Sequence, residues 1–208
     1  MHGSPQPAAI QPSITPARGT EGRGFPRSRM TDLVIQADAF AAAAHAAIDH
    51  RRKYTGEPYI EHPREVARIV ASVTDDHEVI AAALLHDTVE DTPVTLEQIE
   101  DLFGARVASL VEQLTDVSRP EDGNRRTRKA IELAHTATST PEAKTVKLAD
   151  LISNTRTIVE FDPDFARVYL AEKARLLEVL KEGNASLHAM ASILLVQSRQ
   201  RLYEASER

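Results

Sequence analysis

The sequence predicts an all-α fold in which one helical bundle forms a single domain. From residue 31 onward, apolar residues recur at helical spacing, and prolines and glycines separate the segments that share this period. The apolar-polar alternation that is typical of strands is absent from the sequence. A length of 208 residues also suits one ordinary domain with a buried core. We therefore expect one folded domain over residues 31–208.

The first thirty residues differ from the rest in composition. They contain 5 of the 11 prolines and 4 of the 8 glycines, and their few apolar residues follow no period. Such a segment buries too little apolar surface to offset the entropy cost of ordering it. We predict a disordered leader over residues 1–30, with the folded domain beginning near Met30. An organelle-targeting peptide is the alternative, because the segment carries arginines and almost no acidic residue.

Composition and capping signals predict four helices in the first half of the domain. An alanine-rich stretch without proline or glycine predicts the first, and Pro63 at a favoured first position predicts the second. An amphipathic period predicts the third. Thr95 and Gln98 match a capping box for the fourth, which is expected to stop at Gly104. These helices are expected over residues 31–52, 63–73, 78–91 and 95–104.

Similar signals delimit the second half of the domain. A helix over residues 106–116 is followed by a polar loop over residues 118–124. Pro141 and Pro163 open two further helices, which are expected to end near Glu160 and Gly183, and Asn184 caps the last helix. A basic cluster lies between these segments and is interpreted as a solvated face: Arg125, Arg126, Arg128 and Lys129.

The composition excludes several classes of function. There is no cysteine, so disulfides, thiolate metal sites and a cysteine nucleophile are excluded. The net charge of −6 argues against nucleic-acid binding, which usually needs a basic surface. No apolar run approaches the ~20 residues of a membrane span. We expect a cytoplasmic protein with no nucleic-acid or membrane partner, and the sequence leaves homo-oligomerisation open.

The helix predicted over residues 78–91 changes character along one face. At about 100° per residue, the sector that begins with Val79 and Ile80 continues into ionisable side chains. Burying several carboxylates without a positive partner costs several kcal/mol each, so a metal ion is expected against them. The ionisable residues of this sector are His86, Asp87, Glu90 and Asp91.

Two other segments supply further candidate metal ligands. His62 stands just before Pro63, and Asp150 lies on a later helix whose inward stripe also becomes polar, through Asn154. Two imidazoles and two carboxylates suit Mn²⁺, Fe²⁺ or Zn²⁺. Such a metal can lower the pKa of bound water toward ~7 in the best cases. The sequence therefore predicts a metal site in the interior of the bundle.

Four sequence blocks follow one another in this order: RRKYTGEPYIEHP, AAALLHDTVEDT, FGARVASLVEQLTD and AKTVKLADLISNTR. Together they resemble the HD superfamily of metal-dependent phosphohydrolases. More narrowly, they resemble the hydrolase domain of the Rel/Spo alarmone enzymes and the Mesh-type small alarmone hydrolases. The similarity covers roughly residues 38–187.

The resemblance implies an HD-domain helical bundle that uses Mn²⁺ to remove the 3′-diphosphate of ppGpp or pppGpp. By motif position it implies that Glu90 and Asp91 are the catalytic acid and base. The implied metal ligands are His62, His86, Asp87 and Asp150. The implied substrate-binding residues are Arg52, Lys53, Asn154 and Tyr169. From the residues alone, the run Arg51–Lys53 is either a phosphate site or a solvated helix end.

The sequence departs from the family pattern near the expected nucleotide pocket. Leu151 stands where members usually carry a basic residue, and Ser153 where they carry an aromatic residue or histidine. Phe165 stands where a basic residue is expected, four positions before Tyr169. These differences leave other substrates open: an adenosine alarmone such as ppApp, or NADPH as a source of a 2′-phosphate. A protein that binds alarmone without turnover is the alternative from a different functional class.

Overall fold

The computed structural model describes residues 27–206 as a bundle of α-helices. Within that range there is no strand, only an isolated antiparallel bridge between Arg51 and Pro58, and the all-α prediction is confirmed. A short 3-10 turn over Pro120–Asp122 interrupts the predicted polar loop. The helices are α1 (Arg27–Ala47), α2 (Glu61–Ala71), α3 (His77–Leu85), α4 (Thr88–Asp91), α5 (Leu96–Phe103), α6 (Ala105–Leu114), α7 (Arg125–Ala137), α8 (Pro141–Phe161), α9 (Pro163–Val179) and α10 (Ala185–Ser206).

The predicted leader, residues 1–30, lies outside the described residues except for its last four, whose backbone begins α1. None of the helices in the described range is both long enough and apolar enough to cross a membrane.

Two central helices, α3 and α8, hold the core together. Every residue of α3 from Val79 to Leu85 is buried, and this helix packs against α1, α2, α6 and α8. In α8, Leu148, Leu151 and Ile152 are fully buried, and the helix packs against α2, α6, α9 and α10. Since both helices are enclosed by others, polar side chains at their inner faces are held in fixed positions.

Helix α1 ends five residues before the predicted limit of residue 52, so that part of the prediction is wrong. Asp49 adopts a left-handed conformation with φ of 48°. The N–H groups of Asp49 and His50 donate to the carbonyls of Ala46 and His45, both at 3.0 Å. This pairing satisfies the last carbonyls of the helix and turns the chain away. The basic run Arg51–Lys53 therefore lies in the turn that follows, not on a helix end.

The helix predicted over residues 78–91 is broken at His86 and Asp87, which separate α3 from α4. The hydroxyl of Thr88 donates to the carbonyl of Leu85 at 2.7 Å, and Nδ1 of His86 lies 2.8 Å from the carbonyl of Ala83. These side chains bind carbonyls in the last turn of α3, where capping groups compete with continuation of the helix. The break falls at two of the four residues that were predicted to bind metal, His86 and Asp87.

Capping residues explain most other helix limits. The predicted capping box of Thr95 and Gln98 is present at the start of α5, and Asn184 accepts hydrogen bonds from Ser186 and Leu187 as α10 begins. Asn124 accepts from the N–H of Thr127 and opens α7, a helix for which no limits were predicted. Helix α9 ends at Val179 rather than near Gly183.

Candidate metal centre and active site

His62, in the first turn of α2, directs one ring nitrogen toward two carboxylates. Its Nε2 lies 3.1 Å from Oδ1 of Asp150 and 3.7 Å from Oδ2 of Asp87. Its Nδ1 lies 3.1 Å from Oγ of Ser153, whose hydroxyl donates to Glu65 at 2.8 Å. Because the Ser153 proton is directed to Glu65, Nδ1 of His62 is the donor in that contact. The lone pair of His62 is thus left on Nε2, facing the carboxylates.

His86 has the same tautomer for a different reason. A carbonyl can only accept, so Nδ1 of His86 donates to Ala83 at 2.8 Å. Its Nε2 is buried without a hydrogen-bond partner and lies 3.1 Å from Oδ2 of Asp87 and 3.9 Å from Oδ1 of Asp150. A buried, unpartnered nitrogen that faces two carboxylates is a site for a cation.

The two carboxylates are themselves held by neighbours. Oδ2 of Asp87 accepts from the hydroxyl of Tyr59 at 2.7 Å, and Oδ1 of Asp150 accepts from Nδ2 of Asn154 at 2.6 Å. Burial alone would raise the pKa of Asp87, but the charges of His86 and His62 and the hydrogen bond from Tyr59 hold it below its usual value. The close contact with His62 and the charges of His86 and Lys147 lower the pKa of Asp150 against burial in the same way. Both groups are therefore ionised at neutral pH.

Three of these side chains, His62, His86 and Asp87, are grouped closely enough to hold a divalent cation of the first transition row, and Asp150 lies beside them. Adjacent ligand atoms around such an ion, at roughly 2.1 Å each, lie about 3 Å apart. The shortest imidazole-to-carboxylate separations are 3.1 Å, and ligand atoms of His62, His86 and Asp87 all lie within 4.8 Å of one another. Burial would lower the pKa of His86, but Asp87 outweighs it and raises that pKa to about 9. Without a cation, a proton therefore compensates the carboxylate charge.

Glu90 and Asp91, in α4, lie one turn beyond the metal ligands. The N–H of Asp116 donates to Oε2 of Glu90 at 3.2 Å. Part of the Glu90 side chain reaches solvent, yet loss of hydration around its carboxyl, with the charges of Asp116 and Asp87, raises the pKa to about 7. Burial also raises the pKa of Asp91, whose Oδ2 is 4.0 Å from Nδ1 of His50. Two carboxyls with raised pKa values suit proton transfer near neutral pH.

A cavity of about 1110 Å³ connects these groups with α7, α8 and α9. Its volume is sufficient for a nucleotide. Asp87, Glu90, Asp91 and Asp150 line one part of it, and the same cavity contacts Asn154 and Tyr169. Six of the ten predicted site residues therefore line the cavity. The buried His62 and His86 contact the lining carboxylates, so the structure brings eight of the ten together.

Arg52 and Lys53 lie beside this cavity and do not line it. Nη2 of Arg52 donates to Oγ1 of Thr157 at 2.9 Å, one turn beyond Ser153 on α8. Nζ of Lys53 is 3.6 Å from Asp162 and 6.0 Å from the ring centre of Phe165, a lining residue. Lys53 is therefore close to a lining residue, Arg52 contacts the helix that carries Asp150, and both cations are paired with other side chains.

Two of the three residues that depart from the family pattern do not line the cavity. Leu151 is fully buried in the core, and Ser153 is fully buried between His62 and Glu65. Neither side chain reaches the surface of the cavity, so neither position supports a different substrate. Phe165 does line the cavity, and the guanidinium of Arg125 lies 5.1 Å from its ring centre.

Several residues of the site were missed by the sequence analysis. Tyr59, which binds Asp87, stands three positions before His62, and Lys147 stands one helical turn before Asp150, so both had a spacing signal. The basic cluster on α7 was interpreted as a solvated face, but three of its members line the cavity: Arg125, Arg126 and Lys129. Arg125 and Arg126 are exposed, as expected of a solvated face, but the face also borders the cavity, because α7 docks beside α9.

Comparison with known proteins shows which family this chain resembles. The model of the HD domain family matches residues 37–177. A Danio rerio protein named guanosine-3′,5′-bis(diphosphate) 3′-pyrophosphohydrolase MESH1 is 36% identical over 174 residues, covering 80% of this chain and 94% of the relative. An Aquifex aeolicus protein named guanosine-3′,5′-bis(diphosphate) 3′-pyrophosphohydrolase is 40% identical over 128 residues, which are 62% of this chain and 18% of that relative.

A solved structure supports the same relationship. It is described as "A metazoan ortholog of SpoT hydrolyzes ppGpp and plays a role in starvation responses" and superimposes with a TM-score of 0.72 at 29% identity. The match covers 84% of this chain and 98% of that one. Because the family model matches more than half of the sequence and the MESH1 relative aligns over nearly its full length, the chain belongs to the HD domain family.

Proposed function

We propose that this protein hydrolyses the 3′-diphosphate of ppGpp and pppGpp, releasing pyrophosphate and GDP or GTP. The observation that carries the proposal is the convergence of two imidazole nitrogens and two carboxylates beside a cavity of nucleotide size. The MESH1 relative is named for this reaction and is similar to the chain over most of its own length.

The proposed metal ligands are His62, His86, Asp87 and Asp150, and the proposed cation is Mn²⁺, with Fe²⁺ or Zn²⁺ as substitutes. The donor set of two nitrogens and two oxygens accommodates all three. When bound, the cation supplies Lewis acidity, which favours ionisation of water and neutralises phosphate charge. The tautomers of both histidines are fixed by Ala83 and Ser153, so their Nε2 atoms are available without prior rearrangement.

Glu90 and Asp91 are proposed to move the protons of the reaction. A water oxygen forms a bond to the phosphorus next to the 3′ oxygen, and the bond between that phosphorus and the 3′ oxygen breaks. The water loses a proton to one carboxylate of the pair, and the 3′ oxygen gains a proton as it leaves. A pKa of about 7 lets Glu90 take up and release a proton at neutral pH.

Four residues are proposed to bind the substrate. Asn154 and Tyr169 line the cavity next to the metal ligands and suit contacts with the ribose and its phosphates. Arg52 and Lys53, at the neighbouring turn, carry charges that complement a polyphosphate. Binding by these two residues requires the exchange of their contacts with Thr157 and Asp162 for contacts with the ligand.

The test is a substrate panel with purified protein and Mn²⁺, in which chromatography resolves the products of ppGpp, pppGpp, ppApp and NADPH. Pyrophosphate with GDP or GTP is the expected result. Orthophosphate from NADPH, or turnover of ppApp alone, would assign a different nucleotide hydrolase. Calorimetric binding of ppGpp with no product formed would assign a non-catalytic binder. The Asp87→Asn variant, assayed in parallel, controls for contaminating activity.

A further inference from the structure

Three lysines from three helices meet on one wall of the cavity. Lys129 of α7, Lys147 of α8 and Lys173 of α9 all line it. Lys129 and Lys147 share the carboxylate of Asp116, at 3.2 and 3.8 Å. Two of the three ammonium groups therefore already have a carboxylate partner.

Among residues 32–206, whose side chains the structure describes, Lys173 has no ion-pair partner within 4.0 Å. Its side chain is partly buried, and its Nζ lies 5.1 Å from the ring centre of Tyr169, one turn earlier on α9. Burial lowers the pKa of Lys173, and the charges of Lys147 and Lys129 lower it further, against the opposing effect of Asp150 and Asp116. An ammonium in such surroundings is stabilised when an anion enters the cavity.

Tyr169 supplies an independent sign of a missing ligand. It is 5% exposed, lines the same cavity, and its hydroxyl is buried with no hydrogen-bond partner among the described residues. A buried hydroxyl without a partner carries a free-energy cost that a bound acceptor removes. The ammonium of Lys173 and the hydroxyl of Tyr169 are both donors, so the ligand they suit is an anion.

The proposed metal ligands Asp87 and Asp150 line the same cavity. A phosphate held at the cation near Asp87 and Asp150 leaves Lys173 and Tyr169 available for a second anionic group of the same molecule. A nucleotide with phosphates on both its 3′ and 5′ oxygens offers one group to each place. A nucleotide with a 3′-diphosphate and a free 5′ hydroxyl offers none to the lysines.

We propose that Lys173, together with the Tyr169 hydroxyl, binds the 5′-phosphate group of the substrate and makes the protein selective for nucleotides phosphorylated at both positions. The inference rests on the proposed function for the orientation of the substrate. It assigns Lys173 to binding alone, because the proposed reaction takes place at the phosphorus held by the metal ligands.

The test compares steady-state constants for three substrates: pppGpp, ppGpp, and guanosine 3′-diphosphate with a free 5′ hydroxyl. For Lys173→Gln we expect KM for pppGpp and ppGpp to rise about tenfold, as for loss of one charge-assisted contact, with kcat changed less than about twofold. KM for the substrate without 5′-phosphates should stay at the wild-type value. Lys173→Arg should restore most of the loss. Lys181→Gln, which removes an exposed charge paired with Glu178, is the matched control and should change none of these constants.

A second measurement does not depend on turnover. Calorimetric binding of 5′-GTP without divalent metal should weaken about tenfold in Lys173→Gln and stay unchanged in Lys181→Gln. Equal losses on all three substrates, or wild-type GTP binding by Lys173→Gln, would overturn the proposed subsite. If wild-type protein binds GTP through Lys173 yet hydrolyses none of the three substrates, the proposed function fails and the anion subsite stands.

Discussion

The hydroxyl of Tyr59 donates a 2.7 Å hydrogen bond to Oδ2 of Asp87, the same oxygen that lies 3.1 Å from Nε2 of His86. The Tyr59 ring stacks on His50 at a centroid distance of 3.7 Å and an interplanar angle of 9°. Tyr59 is thus held at its ring by His50 and at its hydroxyl by Asp87, and the hydroxyl fixes the orientation of the carboxylate. Partners of this kind orient metal ligands before the metal binds.

Removal of that hydroxyl should weaken metal binding without unfolding the protein. For Tyr59→Phe we expect the affinity for Mn²⁺ to fall about tenfold, the lower end of the effect usual for outer partners of metal ligands. Calorimetric titration of metal-free protein with Mn²⁺ measures this change. Tyr54→Phe removes a comparable 2.8 Å hydrogen bond, to Asp162, away from the metal ligands and should bind Mn²⁺ like the wild type. Equal affinities for wild type and Tyr59→Phe would show that Asp87 needs no such support.

Metal removal should destabilise the wild-type protein, because a ligand that binds only the folded state stabilises it. At a metal concentration of about 100 times Kd, the expected stabilisation is about 2.7 kcal/mol. Thermal unfolding should show a higher Tm with Mn²⁺ than with a chelator, and Asp87→Asn should lose most of that difference. Asp75→Asn, a change at an exposed aspartate outside the cavity lining, should retain it. A Tm difference that persists in Asp87→Asn would place the bound metal elsewhere.

The sequence was sufficient to predict the inward direction of the ligands on α3 and α8. Helical period alone places His86 and Asp150 on inner faces, and the structure confirms that both are buried. The predicted continuous helix is broken at Asp87, yet the short helix α4 keeps Glu90 and Asp91 beside the same cavity. The break in the helix therefore does not remove the predicted residues from the interior site.

Features set by packing between distant segments could not be predicted in the same way. The amphipathic period does not tell which neighbour a helix docks against, so the cations of α7 gave no sign that they face the cavity. The position of Ser153 beside His62 also depends on the packing of α8 against α2. A family pattern located Ser153 near the pocket, but only the structure distinguishes a residue that supports a ligand from one that contacts substrate.

Replacement of Glu90 should separate proton transfer from metal binding. Glu90→Gln keeps the size of the side chain and an oxygen that can accept from Asp116, so metal affinity should stay within about threefold while kcat falls about 100-fold or more. Glu90 holds its proton up to about pH 7 and is ionised above it. If the ionised form accepts the proton of water, kcat of the wild type should rise with pH up to about 7 and then level. This rise of kcat with pH should be absent from Glu90→Gln. Glu97→Gln, a change on the exposed face of α5, should keep it. An unchanged profile in Glu90→Gln would assign proton transfer to another group.

Asp76 should stabilise the helix that carries the site in a pH-dependent manner. Its Oδ1 accepts from the N–H groups of Glu78 and Val79 at the start of α3, and both its oxygens accept from Arg106. The hydrogen bonds from Arg106 and, against some loss of hydration, those from the backbone lower the pKa of Asp76 below its usual value of 3.8. A carboxyl with a lowered pKa contributes stability that is complete above its usual value and is lost as pH falls through the lowered one.

For Asp76→Ala we therefore expect the free energy of unfolding to fall by about 1–2 kcal/mol at pH 7, the usual cost of removing a helix cap, with a small addition from the exposed ion pair. Urea unfolding at pH 7 and near pH 3 should show this difference shrink at the lower pH, because the wild-type carboxyl is then being protonated. Asp75→Ala, at the adjacent exposed position, should change stability by less than about 0.5 kcal/mol at either pH.

Since α3 also packs on α1, α2 and α8, folded Asp76→Ala should keep its metal site, and its kcat at pH 7 should match the wild type. A loss of kcat in fully folded Asp76→Ala would mean that the cap at the start of α3 also sets the position of His86 at the end of that helix.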